Sequence, residues 1–517
     1  MSSVNFTPLL FLGFALGDTT TRTFAATAAA VWILAGVYAF ASEAPGKRLR
    51  LAAFYLPAAA GGIACMLAAN ALSFYAAYTL AALSSAGLVA WNGNERARKA
   101  ARIYLALTVV SEALLLAVLM IAAGRSWSWA LPGLREEWAR APEAGLVMWL
   151  LTASLMIKCG STIFAGILPL QYENAPAGAA AALAGASAKI GLLAMLWLLP
   201  LGVPGFESWG AAYVAIGLSS AFLGVALGLL ARSPRAMLGY SSASQMGLAF
   251  VAVGAALIAP RTAGIPALAA VVAFTVHHAL AKSALVLGSD ASGAGRSAIG
   301  RALDAVLLAL PAAALVGAPL TSGFVAKLAL KSALASAGPS PIVEAATSLL
   351  PISSVATGLL MIRFLLAVRR SAPAQQTPPL LGRAAWYALT GLSAAAALAG
   401  PWSFSSYARE HLLDPHAVWS ATWPALAAVA LTAAARVARL SAPGMETGDL
   451  LTYGHDAGLR AIAWLAGRVA KRTRPTAETR SHRALVLDEE RLFPTAVAMG
   501  VFVALAVLLA VLLARAG

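Results

Sequence analysis

Charged residues are scarce in this chain: they make up only 11% of its 517 residues, against about 25% in a typical soluble protein. Hydrophobic residues make up 60%, and apolar runs of about 20 residues recur, long enough to cross a hydrocarbon core of roughly 30 Å. These runs lack the period-two alternation of transmembrane strands. The composition therefore predicts an all-α, polytopic membrane protein. The net charge of +16 lies mainly in the loops, so we expect contact with a lipid bilayer and no nucleic-acid partner.

Cysteine is scarcer still, with only Cys65 and Cys159, each inside a predicted helix. They form no CxxC pair and no cluster spacing, so we interpret them as small buried residues. Neighbouring histidines 277 and 278 diverge on a helix and lack a third ligand nearby, which makes metal binding improbable. The chain has no GxGxxG nucleotide motif, and residues 1–20 lack the basic region of a cleavable signal peptide. We expect no metal, no cofactor, and no redox or hydrolytic site of its own.

The apolar runs predict 14 transmembrane helices. They lie at about 24–42, 51–69, 71–91, 103–123, 146–168, 178–200, 210–231, 237–258, 265–288, 303–337, 346–368, 385–401, 417–437 and 494–515. A short run at about 6–16 is predicted to be a further partial or re-entrant helix. The 303–337 run is too long for one straight crossing and contains GAPLTSG at 317–323, so we predict one broken helix there.

Basic residues are concentrated in every second loop, and these loops lie on one side of this topology. The basic loops contain Lys47, Arg48, Arg50, Arg96, Arg98, Lys99, Arg102, Arg232, Arg235, Arg296, Arg301, Arg369, Arg370 and Arg383. The positive-inside rule makes their side cytoplasmic and predicts a multi-pass protein of the inner (cytoplasmic) membrane. The basic segment 438–493 is also cytoplasmic in this scheme. It contains a predicted amphipathic helix near 448–471, which lies either on the membrane or a partner or in a solvated loop.

Ionisable residues within the predicted spans are few: Glu112, Lys158, Lys189, His277, His278, Lys282, Lys327, Lys331 and Arg363. Each is a candidate for function, since a charge near the bilayer centre costs roughly 2.5–3.5 kcal/mol. Because desolvation disfavours the charged form of an amine, a file of lysines and histidines bridged by water could pass protons. Lys331 and Arg363 lie near helix ends and are expected to snorkel instead. We assign no role to His277.

His278 and Lys282 are four residues apart, so they share one helical face and could exchange a proton. The alternative is a structural histidine bonded to a backbone carbonyl. Two helix breaks are predicted near the lysines: at Pro169, with a polar turn at 171–174, and at Pro319 and Gly323. Broken helices in corresponding places of two halves point to an ion site in repeat-built transporters.

This pattern predicts a division of the chain into six segments. Two related five-helix units occupy 71–200 and 210–368. Around them lie N-terminal helices at 1–70, C-terminal helices at 385–437, the basic segment 438–493 and a final helix at 494–517.

Four segments together resemble the antiporter-like membrane subunits of respiratory complex I, multisubunit Na⁺/H⁺ antiporters and membrane-bound hydrogenases. They are residues 158–191, LGYSSASQMG at 238–247, HHALAKSALVLG at 277–288 and GAPLTSGFVAK at 317–327. The resemblance implies about 14 helices with two inverted five-helix repeats, each containing a broken helix.

The same resemblance implies roles for five residues. Lys158 matches the lysine of the first broken helix, and Lys189 matches the lysine of the central axis. His278 and Lys282 match the central path, and Lys327 matches the charged residue of the second broken helix, which gates exit to the far side.

The sequence departs from the family at several positions. Thr79 stands where the family has a glutamate, Gln245 where it has a histidine, and Phe274 and Ala165 where histidines are usual. We hypothesise that Glu112, on the next helix, replaces the missing carboxylate as the partner of Lys158.

The predicted function is a proton-translocating subunit of a multisubunit energy-converting complex. Its partners would be other membrane and peripheral subunits, which would supply the redox chemistry. The alternative is a membrane subunit of an inorganic-carbon uptake complex, or a degenerate structural subunit with little transport of its own. A free-standing secondary transporter is a third possibility.

Overall fold

The computed structural model describes residues 3–6, 12–126, 130–260, 264–292, 297–370 and 378–438. Within these ranges the chain is almost wholly helical. The α-helices are α1 Thr19–Ser42, α2 Arg48–Leu67, α3 Ala71–Val89, α4 Glu95–Ser126, α5 Leu131–Ala139, α6 Ala144–Cys159, α7 Ile167–Asn174, α8 Ala177–Ala182, α9 Ala188–Leu198, α10 Glu207–Leu230, α11 Pro234–Ile258, α12 Ile265–Ala291, α13 Ala298–Val316, α14 Ser322–Ser336, α15 Pro341–Arg370, α16 Leu380–Phe404, α17 Ser406–Glu410 and α18 Pro415–Val437. Short 3₁₀ helices occur at Pro45–Lys47 and Thr162–Phe164, and a π-helix spans Leu183–Ser187.

The N-terminal apolar run differs from its prediction. Strands β1 (Ser3–Phe6) and β2 (Leu12–Ala15) pair antiparallel instead of forming a partial helix. A helix this short would leave most of its terminal N–H and C=O groups unpaired, whereas paired strands satisfy each other. The backbone N–H of Gly13 also donates to the Ser73 hydroxyl at 2.8 Å, which anchors β2 to α3.

Twelve helices in the described residues are long and apolar enough to cross a membrane. This confirms a polytopic helical membrane protein. Helix α16, with 25 residues, occupies the span predicted at 385–401. The predicted final helix and the basic segment, apart from Ala438, lie outside the described residues, so the total of 14 stays a prediction.

Three spans form the centre of the bundle. In an 18-residue stretch of α11, 94% of the residues are buried, and the same fraction is buried in the segment from α8 to α9. In a stretch of α12 of the same length, every residue is buried. Outer spans such as α18 bury as little as 17%. Close approach depends on small residues: a Cβ on Gly217 of α10 would lie 2.5 Å from the Gly247 carbonyl of α11. Polar residues of α11 and α12 are therefore shielded from lipid.

The first helix interruption lies earlier than predicted. Helix α6 ends at Cys159, and Gly160 follows in the left-handed region at φ 60°. The chain is irregular or 3₁₀ until α7 begins at Ile167. Pro169 therefore does not break the helix. It lies in the first turn of α7, where its missing N–H removes no helical bond. The polar residues 171–174, predicted to form a turn, are helical.

The second interruption separates α13 from α14. Gly317 and Leu320 both have positive φ, 82° and 61°, and Pro319 lies between them. Gly323, predicted as part of the break, instead lies inside α14. It packs directly against the Ala314 carbonyl of α13 and leaves no room for a Cβ. Its role is close packing rather than helix termination.

Candidate functional site

The centre of the site is a buried pair formed by Lys189 of α9 and His278 of α12. The Lys189 Nζ lies 2.6 Å from His278 Nδ1 and donates to the Ala184 carbonyl at 2.7 Å. Lys189 is 2% exposed and His278 is fully buried. A contact this short between an amine and an imidazole allows one proton to reside on either nitrogen.

The π-helix before Lys189 positions this pair. Gly185, inside the π-helix, packs directly against Ser283 of α12. The Ser283 hydroxyl donates to the Ala181 carbonyl at 2.8 Å. These contacts bind the widened turn to α12, and π-helical turns are frequent at functional sites. No sequence pattern singled out this turn.

Lys282 contacts a different helix from His278. Its Nζ donates to the Leu238 carbonyl of α11 at 3.1 Å, and the side chain is fully buried. The two residues do share one face of α12, but the hydrogen bond of His278 Nδ1 goes to Lys189. The other ring nitrogen, His278 Nε2, is buried and has no hydrogen-bond partner in the described part of the chain. Within the described residues, His278 and Lys282 make no direct hydrogen bond to each other, so proton exchange between them stays a prediction.

His277 lies at the site, although sequence reasoning assigned it no role. Its Nδ1 lies 3.0 Å from the Ser322 hydroxyl in the first turn of α14, and the side chain is 2% exposed. Neighbouring residues on a helix point about 100° apart. His278 therefore faces α9 while His277 faces the second interrupted helix. The signal that could have found it was the pairing of two histidines between two helix breaks.

Lys327 of α14 lies beside the second interruption. Its Nζ donates to the Val316 carbonyl at the end of α13 at 2.5 Å and to the Ser354 hydroxyl of α15 at 2.6 Å. The interruption leaves the last carbonyls of α13 without helical partners. The amine of Lys327 satisfies one of them, so the break itself holds this lysine.

Lys158 lies in the last turn of α6, beside the first interruption rather than in the middle of a helix. Its Nζ lies 4.0 Å from the ring centroid of Tyr78 on α3. A cation over an aromatic face is attracted by the ring quadrupole. A cavity of about 10 Å³ adjoins it and is lined by Tyr78, Tyr104, Thr108, Ser111, Ile157, Lys158, Ile167, Gln171 and Ser187.

A carboxylate lies next to the position where the family has its glutamate. Glu112 of α4 is 6% exposed, and its Oε2 accepts a hydrogen bond from the Thr79 hydroxyl at 3.1 Å. Glu112 makes no ion pair with Lys158 within the described residues, because the amine lies over Tyr78 instead. The neighbouring Ser111 hydroxyl lies 3.1 Å from the Tyr78 hydroxyl.

Gln245 of α11 is fully buried, and neither polar atom of its side chain has a partner in the described part of the chain. The hydroxyls of Ser241 and Thr275 and the Nε2 of His278 share this property. Buried polar groups are normally hydrogen-bonded, to protein or to ordered water. The interface of α11 and α12 therefore concentrates buried polar groups around the central pair.

Comparison with known proteins gives a consistent result. The family model described as NADH:quinone oxidoreductase/Mrp antiporter, TM, matches residues 68–351, more than half of the chain. NADH-quinone oxidoreductase subunit N of Mycobacterium bovis is 30% identical over 262 residues, 48% of this chain and 49% of that protein. Hydrogenase-4 component B of Escherichia coli is 27% identical over 239 residues, 44% of this chain and 35% of that protein. The chain spans about half the length of the curated relatives it matches.

Solved structures share the fold. The Mrp complex from a Dietzia species matches with a TM-score of 0.72 and 20% identity, covering 97% of this chain and 57% of the other. The archaeal membrane-bound sulfane sulfur reductase matches with a TM-score of 0.62 and 18% identity, covering 82% and 85%. The resemblance noted from the sequence is thus confirmed, and the chain belongs to the transmembrane family of NADH:quinone oxidoreductase and Mrp antiporter subunits.

Proposed function

We propose that this chain is a proton-translocating membrane subunit of a multisubunit energy-converting complex. Protons would move along Lys158, Lys189, His278, Lys282 and Lys327, at mid-membrane depth. The observation that carries this proposal is the 2.6 Å contact between Lys189 and His278. It joins two buried ionisable groups from two different helices, where burial without a function would be costly.

The Lys189–His278 pair has the chemistry of a transfer step. When Lys189 is protonated, its ammonium donates to His278 Nδ1; when the proton crosses, the imidazolium donates back to the neutral amine. The Ala184 carbonyl holds the Lys189 amine in place in both states. One buried charge thus moves from α9 to α12 without a change of side-chain rotamer.

The proton transfer from Lys158 to Lys189 would also cross a short distance, because α6 and α9 pack closely together. A Cβ on Gly191 of α9 would lie 2.6 Å from Cys159 Sγ and 3.2 Å from Lys158 Cγ, so the side chain of Lys158 packs against α9. The cavity beside Lys158, about 10 Å³, is close to the smallest volume that holds a water molecule. One water bridging there, with a small side-chain motion, would connect α6 to α9.

The driving reaction would come from partner subunits. The relatives named above include a subunit of NADH-quinone oxidoreductase and a component of a hydrogenase. We extend to this chain only the general arrangement of a membrane subunit that moves protons while other chains do the chemistry. The two units 71–200 and 210–368 are proposed as inverted repeats, each with one interrupted helix.

The alternative function is a structural or inorganic-carbon-uptake subunit. Thr79 at the family's glutamate position favours it, because a lysine without an anion nearby holds its proton less well. The hydrogen bond between Thr79 and Glu112 supports the proton relay instead, since a carboxylate is present at the same place from the neighbouring helix. Co-purified dehydrogenase or hydrogenase subunits would support the relay, and a large zinc protein would support the alternative.

The test is proton flux through the purified assembly. A tagged chain would be isolated in mild detergent with its bound subunits and placed in liposomes. An imposed membrane potential would drive protons, read by a pH-sensitive dye inside. We expect Lys189→Ala to lower the flux at least about tenfold, as for loss of a positioned proton carrier. Lys47→Ala, at an exposed turn, is the matched control.

Equal flux from Lys189→Ala and the unchanged protein, with the same subunits bound, would overturn the relay. Absence of flux from the unchanged protein would favour the structural alternative.

A further inference from the structure

A second lysine lies one turn beyond Lys327 on α14. The Lys331 Nζ donates to the Ser420 hydroxyl of α18 at 2.9 Å, and Ser420 donates in turn to the Ala417 carbonyl at 2.8 Å. Residues four apart on a helix are neighbours on one face. Lys327 and Lys331 therefore face the same side of α14, and each amine is held by a serine hydroxyl.

One cavity joins the two amines. Its volume is about 30 Å³, and it is lined by Gly317, Phe324, Lys327, Leu328, Lys331, Leu350, Pro351, Ser354, Ser420 and Ala421. A cavity needs roughly 10–15 Å³ to hold one water and also needs polar partners for it. This one is large enough for about two waters. Its two amines and two hydroxyls supply the donors and acceptors.

The cavity lies toward the side opposite the cytoplasm. Helix α18 ends in a basic turn at Arg436, which the positive-inside rule makes cytoplasmic. Helix α15 likewise ends at Arg369 and Arg370. Ser420 is in the second turn of α18, near the opposite end. Lys331, in the last two turns of α14, is only partly buried.

We propose that Lys331 and Ser420 form the terminal step of the relay. A proton on Lys327 passes through water in the shared cavity to the neutral amine of Lys331, which then releases it to water on the non-cytoplasmic side. Release follows because two positive charges in one small cavity repel each other, so a second proton arriving at Lys327 disfavours the charge on Lys331. This step rests on the proposed function, and the first experiment below tests its geometry without it.

The first experiment measures access to the cavity from outside the cell. Ser420→Cys would be treated in whole cells with a membrane-impermeant, positively charged thiosulfonate. The native Cys65 and Cys159 are both fully buried, so background reaction is low. The matched control is Val429→Cys on the same helix, which is 59% exposed on the apolar outer surface of α18.

We expect the thiol at 420 to react from outside and the thiol at 429 to stay unreactive, because the reagent needs water. If 420 reacts only after cytoplasmic exposure, or not at all, the exit is wrong whether or not the chain moves protons.

The second experiment restores an amine chemically. Lys331→Cys should lower proton flux at least about tenfold, and aminoethyl thiosulfonate should restore most of it by attaching an ammonium group. Propyl thiosulfonate, which adds a chain of similar bulk without charge, should restore nothing. Lys47→Cys is the control for the substitution.

A merely structural defect would not distinguish the two reagents. Flux equal to the unchanged protein in Lys331→Cys, or equal restoration by both reagents, would overturn the proposal. If Lys331→Cys fails to assemble, Ser420→Ala takes its place with an expected loss of about tenfold, from one lost hydrogen bond to a charged group. A normal flux there contradicts the proposal too.

Discussion

The two interrupted helices place a lysine beside a glycine in the left-handed region, yet the two lysines meet different surroundings. Lys158 precedes Gly160, lies over the ring of Tyr78 and is near the buried carboxylate of Glu112. Lys327 follows Gly317 and bonds a backbone carbonyl and a serine, with a second lysine one turn away. The surroundings of Lys158 favour its protonated form, whereas the second lysine beside Lys327 disfavours a positive charge there.

The largest effect should come from glycine packing at the second interruption. Gly323→Ala places a Cβ against the rigid Ala314 carbonyl, so we expect a loss of about 3 kcal/mol in the free energy of unfolding. Gly160→Ala meets the flexible Leu168 side chain and adds left-handed strain, which predicts about 1–2 kcal/mol. Thermal unfolding in detergent would measure both.

The control for that comparison is Gly391→Ala on α16, where a Cβ would meet nothing within 4 Å. It should be neutral or slightly stabilising, since alanine favours helices. A larger loss at Gly160 than at Gly323 would show that the first break, not the second, is the tighter structure.

The next effect concerns the carboxylate at the first interruption. Glu112→Gln should lower proton flux about tenfold, because a nearby negative charge helps Lys158 to take up a proton. The double variant Thr79→Glu with Glu112→Gln should regain much of the flux, since the two side chains are hydrogen-bonded at 3.1 Å and the charge returns to the same place.

Glu207→Gln, at an exposed helix start, is the control for the charge change. Unchanged flux in Glu112→Gln would show that the Glu112 carboxylate does not assist Lys158. If the double variant has no more proton flux than Glu112→Gln, the position of the carboxylate, and not its charge alone, controls the flux.

The smallest effect should come from the contact that joins α12 to the second interruption. His277→Ala and Ser322→Ala should each lower flux about fivefold, since each removes one hydrogen bond worth about 1 kcal/mol. Because they remove the same bond, the double variant should be no worse than His277→Ala alone. If the loss of flux in the double variant equals the product of the two single losses, the two residues act independently.

Much of the site was readable from rare charges. A lysine in an apolar run is costly, so Lys158, Lys189, Lys282 and Lys327 stood out. The apolar runs predicted the spans, and the basic loops predicted their orientation. The carboxylate at Glu112 was readable for the same reason. Its contact with Thr79 rather than with Lys158 was not, because the orientation of Tyr78 depends on the packing of α3 against α4.

Other features could not be read from sequence alone. Pro169 suggested a break because proline ends helices, but proline in a first turn is harmless, and Gly160 is the residue that ends α6. The π-helix at Leu183–Ser187 depends on contact between Gly185 and Ser283, nearly one hundred residues apart. His277 and His278 look alike in sequence, and only the positions of α9 and α14 give them different partners.

An 18-residue stretch of α12 is completely enclosed by other helices. This segment bears two imidazoles and an amine, and none of its surface is exposed to lipid once the bundle is complete. During synthesis, exposure of these polar groups to lipid is energetically unfavourable until α8 to α11, and later α14 and α16, pack around them. The membrane insertion of α12 is thus stabilised only after the C-terminal helices have packed against it.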